Sequence, residues 1–407
     1  MAPTLSAGTP APITMPTERS AGCPFDPPPE LGPLREGQPV QPLAYPGGHT
    51  GWLVTSHALV RTVLADPRFS SRMEFRRPAI HRPAIEEMIT SDRVPAGMFI
   101  GMDAPEHTRY RRLLTGEFTV RRMRQLEPWI ERVTDEHLDA MEQAGPPVDL
   151  VAAFALPIPS LVICELLGVP YADRERFQHD TRVAMTLEST PEEFDAARHS
   201  LGGYLRELVL RKRAEPADDL LSGLVTGGEL NDEELTGIAM MLLVAGHETT
   251  ANMISLGVLT LLAHPGQLAA VRDDPSLTEN AVEELLRYLS IIQFGTQRGA
   301  LEDVELGGVT IRAGEVVTVS IPAGNRDPER FDDPDTLDVT RSAAGHLSFG
   351  HGVHQCLGQQ LARIELRCAY PALFRRFPTL RSAVPIEEVP LRADMNIYGV
   401  HQLPVTW

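Results

Sequence analysis

Cysteine is scarce in this 407-residue chain: Cys23, Cys164, Cys356 and Cys368 are the whole set, widely spaced and without a CxxC pair. That excludes a disulfide framework and a zinc ribbon and fits a reducing, cytoplasmic setting. Basic charge is also short. Lys and Arg number 37 against 55 Asp and Glu, for a net charge of −18, which favours solubility and argues against general nucleic-acid binding. The first twenty residues have neither a basic start nor an apolar stretch, so neither a signal peptide nor a membrane anchor is expected there. No solenoid-type internal repeat is visible.

What is present is apolar residue in quantity, 43% of the chain, enough for a large core. Residues 1–30 read as a flexible, Pro-rich tail, with residues 31–407 as a single domain. A Pro-Gly-Gly turn between apolar stretches predicts an antiparallel hairpin over residues 40–55. From His57 to about Arg287 apolar residues recur three and four apart, the helical spacing. The longest of these helices is expected to start near Asn231, which with the acids after it makes a capped first turn, and to stop near Pro265. It is apolar nearly all round, the pattern of a buried central helix. Length alone would permit a membrane span, but His247 and Glu248 interrupt its middle and no basic cluster flanks it. Residues 304–327 alternate β-branched residues with Gly turns, as short strands do, and residues 326–348 form an Asp- and Pro-rich meander. The expected fold class is mainly α with a small β region.

The densest motif is Phe349-Gly350-His351-Gly352-Val353-His354-Gln355-Cys356-Leu357-Gly358. A lone Cys before a helix is usually a small buried hydrophobe. Here three glycines surround it, allowing a backbone to approach a flat ligand closely, and a following helix supplies N–H groups and a dipole that favour a thiolate. His346, His351, His354 and Cys356 could alternatively be drawn as a zinc site, though their spacing matches no common zinc pattern. Midway along the long helix lies Ala245-Gly246-His247-Glu248-Thr249-Thr250. The bland reading has Thr249 bonding the carbonyl one turn back and Glu248 pairing with a buried Arg. Burying a carboxylate is costly, however, and invites a functional explanation.

The FGxGxHxCxG pattern, completed by the LARIE of residues 361–365, resembles the haem loop of cytochrome P450 monooxygenases. The helix motif resembles the oxygen-activating signature of the same family. The resemblance runs over nearly the whole chain after the tail and is nearest to bacterial, actinobacterial-type members. It implies haem b (iron protoporphyrin IX) as cofactor, with the haem between the long helix and the Cys loop and Cys356 as the proximal iron ligand. Phe349 would shield the sulfur, His354 would bond a propionate, and Gly350 and Gly358 would complete the cradle. On the distal side, Ala245 and Gly246 would leave room for dioxygen, Thr249 would hydrogen-bond the bound species, and Glu248 would supply protons.

Other assignments depend on the same resemblance. His107 and Arg111, four apart in one helix, and Arg298 would grip the propionates. Glu284 and Arg287 form the ExxR pair. The third member of that network is open, because Pro328-Glu329-Arg330-Phe331 lies one segment too early; Arg341 or main-chain carbonyls could substitute. Met98, Phe99, Ile100, Met241, Val244, Phe294 and Ile397 are candidate substrate-pocket linings, with Arg72, Arg76, Arg77 and Arg82 available for polar groups. Arg109, Arg111, Arg112, Arg121, Arg122 and Arg124 form a local basic reversal suited to an acidic ferredoxin. The expected protein is a monomeric, cytoplasmic, ferredoxin-dependent monooxygenase of secondary or xenobiotic metabolism. The ferredoxin would draw electrons from an NAD(P)H-dependent reductase, and a small, bulky apolar substrate would be hydroxylated or epoxidised without nucleic acid or membrane. A non-catalytic haem carrier or gas sensor is the alternative.

Overall fold

The computed structural model describes residues 10–20, 23–89 and 94–407. The chain divides into two compact units: residues 1–94, 100–103 and 283–356 in one, and residues 95–99, 104–282 and 357–407 in the other.

The second unit is helical. Its main elements are α1 (Glu106–Thr115), α2 (Val120–Ala144), α3 (Pro157–Leu167), α4 (Arg174–Met185), α5 (Pro191–Ala214) and α6 (Asp232–Ala263). After these come α7 (Thr278–Leu289), whose last turns belong to the first unit, and α8 (Gln359–Arg376). The start of α6 follows from its sequence. Asn231 accepts the Glu234 N–H and Glu234 accepts the Asn231 N–H, a reciprocal box that satisfies two orphan donors. Asp232, Glu233 and Glu234 complement the dipole in the first turn. From Thr250 to Leu261 every residue of α6 is buried, as its all-round apolar character requires. Helices α3, α5 and α8 pack against it. Tyr370 of α8 donates its hydroxyl to the Met253 carbonyl at 2.6 Å, closing on Gly257, where a side chain would overlap the ring.

The first unit is built on a five-stranded sheet. Its strands are β1 (Val40–Ala44), β2 (Thr50–Val54), β3 (Phe69–Ser70), β4 (Thr296–Ala300) and β5 (Val316–Val319), in the order β1-β2-β5-β4-β3. The β1–β2 hairpin is antiparallel as expected, with Val40 opposite Val54; β2 and β5 are parallel, and the other pairs antiparallel. Val54, Val317, Val319 and Ala300 bury one face together with Val60 and Val63.

Part of the stretch expected to be a flexible tail is packed. Ile13 pairs with Leu43, and Met15 and Phe25 are buried. An apolar side chain every few residues was sufficient to lay this Pro-rich segment along β1. Residues 1–9 and 21–22 of that expected tail lie outside the described residues. Among the described residues no single helix is long and apolar enough to cross a membrane.

Candidate active site

In the first unit, the cysteine loop folds back on itself. The Cys356 N–H donates to the Phe349 carbonyl at 2.8 Å, and the Gly350 N–H to the Leu347 carbonyl at 2.7 Å. Gly352 has φ 74°, and a side chain there would run into the Leu64 carbonyl, so only glycine fits. Cys356 precedes Gly358, the N-cap of α8, and therefore sits just ahead of the unpaired N–H groups of that helix. Its thiol is exposed. Phe349 packs its ring on His346 at 5.8 Å, and His354 is half-buried. Cys164 and Cys368 are different in kind: burial pushes each thiol up to about 12, which leaves them inert. The zinc alternative finds no support in placement. His346 pairs with Glu283 at 3.1 Å, and among the described residues no three His, Cys, Asp or Glu side chains converge on a metal-sized space.

The loop is tied to α7 by groups that no motif flagged. Asn325 accepts the Leu347 N–H and donates to Ser290 and Ser348, while Ser348 donates to the Leu286 carbonyl. Beside them Glu284 and Arg287 are wholly buried. Arg287 holds both oxygens of Glu284, at 2.7 and 2.8 Å, and gives its remaining N–H groups to the carbonyls of Asn325, Pro334 and Thr336. Arg341 completes the network through its Nε, 3.2 Å from Glu284. Both substitutes for the missing family Arg are thus used, the side chain and the carbonyls.

Arg298 lies on β4, buried, and donates one hydrogen bond, to the Gln297 carbonyl. Burial and the neighbouring Arg76 lower it to about 10; burial lowers Arg76 likewise, against the pull of Asp103. The Asp103 carboxylate is itself taken up by the Ser70 hydroxyl and the Ser71 N–H. Phe294 is buried and Ile100 half-exposed.

In the second unit, Met241, Val244, Ala245 and Thr249 form a stripe of accessible residues on α6, in a region whose Leu242, Leu243, His247, Glu248 and Thr250 are buried. The spacing of three and four puts these accessible residues on one helix face. Gly246, next to them, is partly accessible as well. A side chain there would overlap Ile163 of α3, so the glycine serves close helix packing and Ala245 is the small residue that faces outward. Thr249 donates to the Ala245 carbonyl at 2.8 Å. Glu248 is buried against Arg392 at 2.9 Å, with the Asn252 amide 3.3 Å from the same oxygen. Both bland readings of this motif are therefore realised as resting contacts. His247 bonds the Leu243 carbonyl and sets its ring against Phe177 at 5.5 Å; burial lowers its pKa. His107 is buried on α1, where Phe99 packs against it and against Tyr110; Arg111 is half-buried one turn on. Phe99 is thus committed to α1. Ile397 is buried and Met98 half-buried.

The basic cluster is less free than its sequence suggests. Arg109 binds Glu234, Arg112 binds Glu229 at 2.7 Å, and Arg122 binds Glu117 at 2.6 Å.

The cytochrome P450 family model matches residues 177–390. Cytochrome P450 105C1 from a Streptomyces species is 54% identical over 98% of this chain and 99% of its own. The chain belongs to the cytochrome P450 family. Pentalenic acid synthase of Streptomyces avermitilis is 47% identical, with 98% of each chain covered. A crystal structure of CYP105P1 in complex with filipin I superposes with a TM-score of 0.92 at 48% identity, over 98% of this chain and 99% of that one.

As an actinobacterial-type P450, the chain is a haem-thiolate monooxygenase with protoporphyrin IX haem as its cofactor. The carrier and sensor reading is set aside. The residues present fit the haem. Arg298 and Arg76 are neighbouring cations whose shared carboxylate is already hydrogen-bonded, a surplus of positive charge that suits a propionate. Sequence reasoning had assigned Arg298 to the haem and Arg76 to substrate. It missed Arg392, Asn252 and Asn325 altogether. The need for a cation near Glu248 was readable, but not which of the many arginines would answer it.

Proposed function

We propose that this P450 takes electrons from a ferredoxin and its NAD(P)H-dependent reductase and oxidises a bulky apolar natural product or xenobiotic. The accessible stripe of Met241, Val244, Ala245 and Thr249 on an otherwise buried helix carries the reading. It presents three apolar surfaces beside one hydroxyl, the composition of a site for a largely apolar ligand.

Cys356 would ligate the haem iron, and Phe349, Gly350, His354 and Gly358 would shape the proximal loop. His107, Arg111 and Arg298 would hold the propionates, with Ala245 lining the oxygen side. The haem, when bound, activates dioxygen so that one of its atoms enters a C–H or C=C bond. The chain's own task is to place the substrate, exclude water and move protons. Thr249 has a hydroxyl that can leave its bond to the Ala245 carbonyl and turn outward, and Glu248 next to it can relay protons. Met241 and Val244 would contact substrate, and Met98, Ile100, Phe294 and Ile397 stay candidate linings by resemblance. Relatives support the substrate class, since one is named for pentalenic acid and one was crystallised with filipin I. The enzyme is taken to act as a cytoplasmic monomer.

Thr249→Ala should retain haem but divert most reducing equivalents to hydrogen peroxide, at a cost of about tenfold to a hundredfold in product per electron. Tight coupling in that variant would refute the assignment.

A further inference from the structure

One amide serves three parts of the first unit. Asn325 closes a short helix, Ile321–Asn325, and is fully buried. Its side-chain oxygen accepts the Leu347 N–H at 2.6 Å, and its nitrogen donates to the hydroxyls of Ser290 at 2.8 Å and Ser348 at 2.9 Å. Both hydroxyl protons are already placed, that of Ser290 on the Arg287 carbonyl and that of Ser348 on the Leu286 carbonyl. Toward Asn325 the two serine oxygens can therefore only accept, and the Leu347 N–H can only donate. Asparagine supplies two N–H donors and one acceptor from a single short stem, whereas aspartate has the shape without the donors. The main chain is used as well, since the Asn325 carbonyl accepts from Arg287 at 2.8 Å.

The parts so joined lead in two directions. Leu347 opens the cysteine loop: its carbonyl takes the Gly350 N–H, and the Phe349 carbonyl in turn takes the Cys356 N–H. Ser290 follows α7 with φ 44°, a left-handed conformation that is unfavourable for any residue but glycine and persists only where its surroundings fix it. From Ser290 the connection of residues 291–295 carries the buried Phe294 into β4 and on to Arg298. Gly295 seats the far end of that connection, at φ 74°, where a side chain would overlap the Val319 carbonyl of β5.

We propose that Asn325 is a positioning residue that sets the cysteine loop and the Phe294 connection in register with each other, so that one side chain fixes both the iron ligand and the apolar lining. The proposal rests on the reading of Cys356 as that ligand and of Phe294 as a lining residue. Loss of the amide leaves the Leu347 N–H without its acceptor and the strained Ser290 turn without its tether. A loop loosened at Leu347 orients its sulfur less well, as when the outer partners of a metal ligand are removed.

The test reads the two sides separately on holoenzyme. The loop is followed by the thiolate-type band of the ferrous carbon monoxide complex, and the connection by hydrogen exchange of residues 291–295. Asn325→Asp should move both: about a fifth or more of the thiolate-type band converts to that of neutral or displaced sulfur, and exchange rises about tenfold. Ser290→Ala cuts one arm and should speed exchange alone, about fivefold. Ser348→Ala cuts the other arm and should convert part of the band, with exchange within about twofold of wild type. An Asn325→Asp enzyme that moves neither readout, or only one, overturns the proposal. So does either serine variant that leaves its own side unmoved or moves both sides, the response of general loosening. Where Asn325→Asp does not retain haem, the two serine variants decide. A wild-type enzyme without the thiolate-type band refutes the underlying reading of Cys356 instead.

Discussion

Substitution at Arg341 and Arg330 decides which arginine completes the buried network on α7. Glu284 is fully buried and accepts four hydrogen bonds: two from Arg287, one from Arg341 Nε at 3.2 Å and one from the Asp338 N–H at 3.0 Å. Glu284→Gln leaves Arg287 as a buried cation without its counter-charge, which costs about 3–5 kcal/mol. Arg341→Gln removes one charged donor, but Arg287 still neutralises the carboxylate and Asp338 still donates. Its cost should be smaller, about 1–2 kcal/mol, within the range for a hydrogen bond to a charged group. Arg330, the arginine of the literal Pro-Glu-Arg-Phe segment, is exposed and bonds the Ala344 carbonyl, so Arg330→Gln should stay within about 0.5 kcal/mol. A double-mutant cycle between Arg341 and Glu284 should give about 1–2 kcal/mol of coupling, and one between Arg330 and Glu284 close to none. Chemical denaturation of the holoenzyme, followed by loss of its ferrous carbonyl spectrum, measures all five variants. Equal coupling in the two cycles, or a larger value for Arg330, would refute the reasoning.

Gly237→Ala places a methyl on α6 against the Ala96 carbonyl; the overlap should cost about 1–3 kcal/mol and speed exchange at Met98, whose N–H bonds Pro95. Glu365 on α8 is buried without a hydrogen bond to Oε2, and burial alone raises its carboxyl well above the usual range. The folded protein therefore binds a proton that the unfolded chain has lost above its ordinary pKa, and stability falls as pH rises through that window by about 1.4 kcal/mol per unit. Glu365→Gln should flatten that slope in denaturation curves between pH 5 and 8, roughly the window above an unfolded Glu; an unchanged slope would show that Glu365 is ionised. Arg121 and Arg124 are exposed and, among the described residues, free of ion pairs, whereas Arg109 and Arg112 are engaged by Glu234 and Glu229. If a ferredoxin is the donor, as proposed, reversing Arg121 and Arg124 to Glu should slow reduction of the enzyme by it about tenfold at low salt and little at high salt; equal rates at low salt would exclude this face.

Local features were legible in the sequence because their causes are local. The α6 boundaries follow from a capping box and a proline, and the β1–β2 hairpin from its Pro-Gly-Gly turn. The cysteine loop was readable since its glycines are demanded by backbone shape, as Gly352 against Leu64 shows. Direction was harder. The motif gave Gly246 but not its close packing, which depends on Ile163 from another helix. Least legible were partners brought together only by tertiary folding, Arg392 to Glu248 and Asn325 to Leu347, whereas Arg341 to Glu284 was one of two readable candidates. No periodicity encodes them. Burial of a carboxylate announces that a cation is needed and says nothing of its address.

Three buried glutamates make the same point energetically. Glu284, Glu248 and Glu365 are each at most 5% exposed, yet they differ in the cations that meet them. Glu284 has two arginines and a main-chain N–H, so removing any one leaves its charge supported. Glu365 has burial without a compensating charge, which raises its carboxyl well above the usual range. Glu248 stands between them, with one arginine, on a hairpin whose tip is bonded to the end of α4. Taking one arginine from a doubly paired carboxylate leaves it paired, whereas taking the single arginine from Glu248 leaves a buried carboxylate without its cation. Of the three, Glu248 is the one whose pairing depends on a single arginine. That acid is also the one beside Thr249, on the helix that carries the accessible stripe of Met241, Val244 and Ala245.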